Sequence, residues 1–212
     1  MSLKNKRILI TAGPTWVPID RVRVISNIAT GQTGILLAGK LAKLGAKITL
    51  LLGPTEACCI SNKIRLIRFK YFKELERLIK RELGTKKYDA LIHSAAVSDY
   101  RPKISYKDKV KSGILEWNLK LKSTPKIIDC IKKINPCIFL VGFKFEPAAK
   151  KEALIKKAKA LMKRANADLV VANTVTKNKY KAYILNQKKI CASLENRHSL
   201  ADKLINSIGE NL

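Results

Sequence analysis

The sequence predicts an α/β fold: a mostly parallel sheet covered by helices on both faces and closed by a C-terminal hairpin. Short apolar runs alternate with longer stretches of helical periodicity over most of the chain, and such alternation builds parallel strands joined by crossover helices. Several of the runs are apolar almost throughout, as in AKITLLLG at 46–53, which is the pattern of strands buried on both faces. A third observation concerns the ligand. Glycines and small residues gather just beyond the apolar runs, where sheets of this kind bind their ligands.

The elements follow in order. Residues 7–12 form a first strand that ends in Thr11-Ala12-Gly13-Pro14-Thr15. A long loop carries Ser26-Asn27 and a glycine patch, Gly31 to Gly34, before GILLAGKLAKLG, an amphipathic helix over 34–45 with a glycine at its C-terminal end. AKITLLLG (46–53) and IRLIRF (64–69) are strands, and KELERLIKREL (73–83) is a helix ended by Gly84. DALIHSAA (89–96) is a strand running into small residues, and LEWNLKLK (115–122) alternates with a period of two. Thr124-Pro125 then puts a proline in the first turn of helix PKIIDCIKKI. CIFLVGFKF (137–145) is a strand, 147–165 a long basic helix and DLVVANT (168–174) a further strand. YKAYILNQKKICASL reads as a hairpin turning near Asn186-Gln187-Lys188. SLADKLINSIGE is the last helix, with Ser199 and Asp202 as a capping-box-like start. The whole is Rossmann-like, and residues 1–212 read as a single domain.

Composition limits the function classes. Forty-three Lys and Arg against 16 Asp and Glu give a formal charge of +27, a field that attracts phosphorylated molecules and other polyanions. The lysines are spread along helical stretches rather than gathered in a tail, and the aromatic content is 6% without an aromatic-basic stretch. Nucleic-acid binding is therefore disfavoured. No apolar run is long enough to span a bilayer and MSLKNKR leads directly into a strand, so a cytoplasmic protein without a membrane partner is expected. Five cysteines, the adjacent Cys58 and Cys59 among them, show no CxxC spacing and read as reduced, packed thiols.

The strand ends are chemically unusual: TAGPT, SAAVSDY, GFKFE and ANT. Small residues there let backbone approach a ligand, and Asp99, Lys144 and Asn173 stand where polar groups can reach the cleft. The glycines after the first strand are too widely spaced for the dinucleotide turn GxGxxG. The one long polar connection, RPKISYKDKVKSG at 101–113, has the length of a functional lid.

These blocks together resemble phosphopantothenate–cysteine ligase, or phosphopantothenoylcysteine synthetase, of coenzyme A biosynthesis. TAGPTWVPIDRVRVISNIATGQTG is similar to that family's TAGGT…PID.VR.ISN.SSG..G block, and SAAVSDYRP to its AAAVADYRP block. KVKS with LKLKSTPKII resembles its flexible lysine loop and L.L..NPDI stretch, while LVGFKFE and ADLVVANT resemble VGFAAET and LDLIVAN. The resemblance runs from the first strand to about Thr174. It implies that the carboxylate of 4′-phosphopantothenate attacks the α-phosphate of CTP or ATP, giving an acyl-nucleotide that L-cysteine converts to an amide. It further implies magnesium carried by the triphosphate, a homodimer, and a decarboxylase that is either separate or fused.

Residue roles come over by position. Asn27 matches the catalytic asparagine, an amide donor to the acyl oxygen; a lone loop asparagine would otherwise be a turn former. Lys109 matches the first lysine of the mobile loop, a cation able to close over the triphosphate. Gly13, Thr15, Ser26, Gly31, Gly34 and Ala96 match substrate-binding positions, with helix–strand packing as the plain role of Gly31 and Gly34. Asp99 matches a nucleotide-side or metal-side aspartate, and Thr124, Pro125, Phe143, Lys159 and Lys163 fall in nucleotide-binding stretches. Phe143 fits core packing nearly as well, and Lys159 and Lys163 sit about two residues early. The chain departs from the pattern at Pro14, Arg21, Gln32, Thr124 and Lys126; Gln32 removes a cation near the expected substrate phosphate. Two rival classes are a Rossmann-type NAD(P)-dependent reductase, which should carry GxGxxG, and a basic nucleic-acid-binding module.

Overall fold

The computed structural model describes residues 3–56 and 61–212; Cys58 and Cys59 lie outside them. In chain order the strands are β1 (Arg7–Ala12), β2 (Trp16–Pro18), β3 (Val24–Ser26), β4 (Lys47–Leu52), β5 (Ile64–Arg68), β6 (Ala90–His93), β7 (Tyr100–Pro102), β8 (Leu121–Ser123), β9 (Phe139–Phe145), β10 (Leu169–Thr176), β11 (Lys179–Leu185) and β12 (Ile190–Leu194). The helices are α1 (Gln32–Lys43), α2 (Phe72–Thr85), α3 (Ile128–Ile134), α4 (Lys151–Ala165) and α5 (Arg197–Gly209). Eight strands share one sheet in the order β12-β11-β10-β9-β6-β1-β4-β5. From β5 to β10 every neighbouring pair is parallel, and β10-β11-β12 close the sheet antiparallel. This is the expected parallel sheet with its terminal hairpin.

Two apolar cores fill the layers. Leu37, Leu41, Leu200 and Leu204 cover one face through α1 and α5; Leu75, Ile79, Ile131, Leu154 and Ala158 cover the other through α2, α3 and α4. Strand alternation explains the division: in β1, Ile8 and Ile10 join the first core and Leu9 the second. The inner residues of β4 are buried on both faces, as their unbroken apolar run requires. No helix among the described residues is long and apolar enough to cross a membrane.

Several boundaries differ from expectation, each for a local reason. Helix α1 begins two residues early, because the left-handed turn ends at Gly31, with φ 72°. Gly84 does not end α2. The helix runs on to Thr85, held by the burial of Leu83 and Glu82, which outweighs the cost of one helical glycine. Of LEWNLKLK only its last two residues join a strand, β8, which pairs with β7 apart from the main sheet; the earlier alternation finds no partner strand. Pro125 precedes α3 by three residues instead of lying in its first turn. The last helix is capped by Asn196, whose side chain accepts from the Ser199 N–H at 2.8 Å, so the Ser199–Asp202 reading is displaced by a better acceptor one turn earlier. Helix α4 starts at Lys151, after a turn in which Ala148 is left-handed. The thiols are less uniformly packed than expected: Cys130 and Cys191 are half-buried and Cys137 is exposed.

The loop after β1 is itself structured. Strands β2 and β3 form a hairpin whose turn buries Asp20, a feature the sequence did not announce.

Candidate active site

The chain moves outward from β1 through β4 to β5, then crosses back to β6 and outward again through β9 to β10. The crevice at such a reversal, beyond the carboxyl ends of β1 and β6, is where an open α/β sheet binds its ligand. Here the two strand tips stay zipped beyond the regular ladder. The N–H of Ser94 donates to Thr11 O at 3.1 Å, that of Ala96 to Gly13 O at 2.9 Å, and that of Thr15 to Ala96 O at 3.3 Å. Thr15 and Ser98, both buried, extend the seam through Ser98 N–H to Thr15 Oγ1 at 2.9 Å and Ser98 Oγ to Thr15 O at 3.1 Å.

Glycine makes this approach possible. Gly13 (φ 78°) and Gly31 (φ 72°) hold left-handed turns and pack on one another, a Cβ on Gly31 falling 3.2 Å from Gly13 N. Gly34 in the first turn of α1 lies against β1 and β6, where a Cβ would come within 2.5 Å of Ala12 Cβ and 2.7 Å of Ser94 Oγ. Its packing role is therefore plain. The first turn of α1 carries no acidic residue and Gly31 offers no side-chain cap; the Gln32 N–H reaches Thr30 Oγ1 at 3.4 Å, and the N–H groups that follow it in the turn are suited to an anion.

Asn27 spans the crevice. Its Nδ2 donates to Ala96 O and Val97 O, both at 3.2 Å, so both amide hydrogens are occupied while the residue remains exposed. Ser26 Oγ donates to Thr15 O at 3.3 Å. Asp99 begins the next turn, exposed and paired with Lys126 Nζ at 2.6 Å, while its backbone oxygen accepts from Thr124 N–H at 2.9 Å. Thr124 is buried and its hydroxyl donates to Ser98 O at 2.6 Å; Pro125 follows it on the same strut.

The segment expected to act as a lid is tied to the β2–β3 hairpin. Asp20 Oδ2 accepts from Val110 N–H at 3.1 Å, Arg23 Nη1 reaches Val110 O at 3.3 Å, and Tyr106 N–H donates to Ile19 O at 2.9 Å. Arg23 also lies over the Trp117 ring, 5.3 Å from its centroid. Burial would raise the Asp20 carboxyl, but N–H donors from Val22, Val110 and Arg23, with the Arg23 guanidinium, hold it at about 2. Lys109 therefore sits exposed beside a pinned residue, Val110.

Other expected residues are placed differently. Phe143 is half-buried against the core beneath α1 and α5. Lys159 and Lys163 are exposed in the second half of α4, which runs from the carboxyl ends of the strands back toward β10's start, so the structure does not bring them to the crevice. Three features escaped sequence reasoning. His93 is buried at the tip of β6, 2.9 Å from Thr11 Oγ1, and burial lowers its pKa to about 4, keeping it neutral. Gly53 lies so close to Pro14 O that a Cβ would sit 2.2 Å away. Thr174 Oγ1 and Tyr180 Oη are buried without hydrogen-bond partners at the carboxyl end, beside the Oδ1 of Asn173, a residue the sequence had already placed at a strand end. Among the described residues no group of three His, Cys, Asp or Glu could hold a metal ion.

The profile of the DNA/pantothenate metabolism flavoprotein C-terminal domain matches residues 3–211. The chain belongs to that family. It is 42% identical over 174 residues, 82% of its length, to the coenzyme A biosynthesis bifunctional protein CoaBC of Thermococcus kodakarensis, covering 42% of that protein. With the same-named protein of Borreliella burgdorferi it shares 36% identity over 197 residues, 89% of the chain and 48% of the relative. The chain thus spans less than half the length of these relatives. A crystal structure of a DNA/pantothenate metabolism flavoprotein from Streptococcus pneumoniae superposes with a TM-score of 0.87 at 26% identity, covering 98% of this chain and all of that one. A Cab2 variant in complex with phosphopantothenate-cysteine shares the fold, with a TM-score of 0.79 at 17% identity over 98% of this chain and 87% of its own. For a member of the flavoprotein C-terminal family, the loop from β1 to α1, with a hairpin inside it, replaces the short dinucleotide turn of nicotinamide enzymes.

Proposed function

We propose that this domain is a phosphopantothenate–cysteine ligase that uses CTP or ATP. One observation carries the reading: motif blocks far apart in the sequence are hydrogen-bonded to one another at a single end of the sheet. Asn27 of the first block bonds Ala96 and Val97 of the second, Ser98 and Asp99 of the second bond Thr124 of the third, and Glu146 N–H of the fourth donates to Asn173 O of the fifth at 3.0 Å.

The reaction needs what this end offers. The substrate carboxylate attacks the α-phosphorus of the nucleotide, and the bond to the pyrophosphate oxygen breaks. The cysteine amine then attacks the acyl carbon, loses its proton, and expels the nucleoside monophosphate as the amide forms. Two phosphorylated anions must meet, so positive field and backbone donors offset their repulsion. Asn27 exchanges one backbone carbonyl for the acyl oxygen as negative charge builds there. Gly13, Thr15, Ser26, Gly31, Gly34 and Ala96 shape the acid-substrate side; Asp99, Thr124, Pro125 and Phe143 serve the nucleotide, and Lys109 closes over the triphosphate from the segment anchored at Val110. Lys159 and Lys163 would reach a nucleotide only by a longer-range field. Magnesium, when present, neutralises triphosphate charge; the residues fit an ion carried mainly by phosphates and water, with Asp99 as a protein carboxylate near it.

The chain pairs with a second copy through the apolar residues left exposed around β7, β8 and the lid, namely Tyr100, Ile104, Leu115 and Leu121. It works with a decarboxylase, fused or separate, since the curated relatives are bifunctional. Side-by-side assays with CTP and ATP test the reading. Pyrophosphate release should require both 4′-phosphopantothenate and nucleotide, and amide release should require cysteine; no amide with any nucleoside triphosphate overturns it.

A further inference from the structure

Beside the crevice lies a cavity of about 400 Å³ bordered by Gln32 and Leu36 of α1, Tyr180 of β11, and Asn196, Arg197 and His198 at the start of α5. The two helices pack together and are tied by Lys40 and Asp202 at 2.5 Å. Register brings this cavity to the ligand side of the sheet. Leu169 and Val171 of β10 belong to the core under α1 and α5, so Asn173 shares their face. It pairs with Ala182 of that same core, and Tyr180 lies two residues from Ala182 along β11.

The groups here are prepared for an anion. The Arg197 guanidinium carbon sits 5.1 Å from the centroid of the Tyr180 ring, a cation–π contact that holds the charge beside the ring. Arg197 forms no ion pair with a carboxylate among the described residues, a state it shares with Arg7, Arg77 and Arg101, but it alone of these borders the cavity. None of the residues bordering the cavity is acidic. The Tyr180 hydroxyl is buried without a partner. Burial pushes the phenol up to about 12, Arg197 pulling the other way, so it remains an O–H donor at neutral pH.

We propose that Arg197 and Tyr180, bordering one cavity with Gln32 of α1, seat the phosphate group of the phosphorylated acid substrate. The inference rests on the ligase reading and sharpens it. A guanidinium held beside a ring and a protonated phenol supply two donors for phosphate oxygens, next to the first turn of α1. The carboxylate at the other end of an extended substrate is then free to lie toward Asn27.

Steady-state kinetics on Arg197→Gln, Arg197→Lys and Tyr180→Phe test it. Loss of a charge-assisted contact should raise KM for 4′-phosphopantothenate about tenfold or more in Arg197→Gln, with KM for nucleotide and cysteine unchanged and Arg197→Lys partly restored. The preference for 4′-phosphopantothenate over pantothenate should fall by the same factor, and Tyr180→Phe should lose about threefold. Unchanged KM and unchanged preference in Arg197→Gln overturn the inference while leaving the ligase reading intact. Titration with inorganic phosphate separates the other failure: a wild-type chain that forms no amide yet binds phosphate through Arg197 overturns the ligase reading, and the substrate assignment with it.

Discussion

At the amino ends of the parallel strands, Glu82 is 1% exposed and fully served: Arg65 grips it through two N–H donors at 2.6 and 3.1 Å, and Tyr88 donates to it at 2.6 Å. At the same end of the sheet, Asp168 Oδ2 accepts from Leu140 N–H at 2.7 Å and pairs with Lys132 at 2.8 Å. At the carboxyl ends the pattern inverts. Asn173, Thr174 and Tyr180 keep buried polar atoms unpaired, two glycines hold left-handed turns, and Asn27 spends its amide on backbone carbonyls instead of a side chain. A buried polar atom without a partner costs about 1–3 kcal/mol, so a fold carries such atoms where a ligand completes them. One end of the sheet is fully paired, and the other keeps the unpaired groups of the proposed binding end.

The largest effect expected from breaking the binding end is at Asn27. Asn27→Asp replaces an amide donor with an acceptor of negative charge, facing an acyl oxygen that itself gains negative charge. Turnover should fall by about 10²–10³, the range for loss of one such donor, while stability drops by only about 1 kcal/mol, since the carboxylate gives up the bonds to Ala96 O and Val97 O at an exposed position. Turnover equal to the wild type would remove Asn27 from the chemistry.

Glu82→Gln probes the stable end. It removes the charge that Arg65, Tyr88 and Lys86 face and should cost about 2 kcal/mol, roughly 5 °C in Tm for a domain of this size, with kinetic constants unchanged. The pH dependence gives the sign. Burial raises the Glu82 carboxyl, but hydrogen bonds from Arg65 and Tyr88 and the charges of Arg65 and Lys86 hold it at about 2, below its ordinary 4.5. A lowered folded value means stability that is present above pH 4.5 and is lost as pH falls toward 2. Melting curves across that window should be flatter for the Gln variant; equal slopes would show that Glu82 contributes no such linkage.

The same contrast explains how much was legible in the sequence. The stable framework was, because strands buried on both faces read as apolar runs and helices as amphipathic ones; β1, β4, β5 and β9 fall within two residues of expectation. The binding end was legible only in part. Gly13, Asn27 and Ala96 stand in recognisable blocks and are hydrogen-bonded to one another, while Asp99 pairs with Lys126 and Thr124. The Asp20–Val110 anchor joins residues 90 positions apart, and Arg197 meets Tyr180 across a hairpin; no local pattern encodes either pairing. LEWNLKLK misled for the converse reason: alternation makes a strand only where a neighbour accepts its hydrogen bonds, and the main sheet already ended at β5 and β12.

A smaller change is expected at Lys109. Its ammonium is free to move while Val110 is fixed, so Lys109→Gln should raise KM for the nucleotide about tenfold, near 1.4 kcal/mol, and leave KM for 4′-phosphopantothenate alone. Unchanged nucleotide kinetics would refute the closing role. Asp20→Asn should move the same constant by less, since it loosens the anchor without removing the cation.

The smallest effect lies at the Lys126–Asp99 pair, where the chain departs from its family's pattern. Both groups are about half exposed, so the pair itself adds at most about 1 kcal/mol. Its consequence is for binding: an ammonium 2.6 Å from Asp99 Oδ1 competes with any cation approaching that carboxylate. Lys126→Gln should therefore lower the magnesium concentration for half-maximal rate by a few-fold, about the factor a surface pair allows, with Tm within about 3 °C of the wild type. A higher magnesium requirement would instead mean that Lys126 itself neutralises the triphosphate, placing a second cation beside Lys109 on the nucleotide side of the crevice.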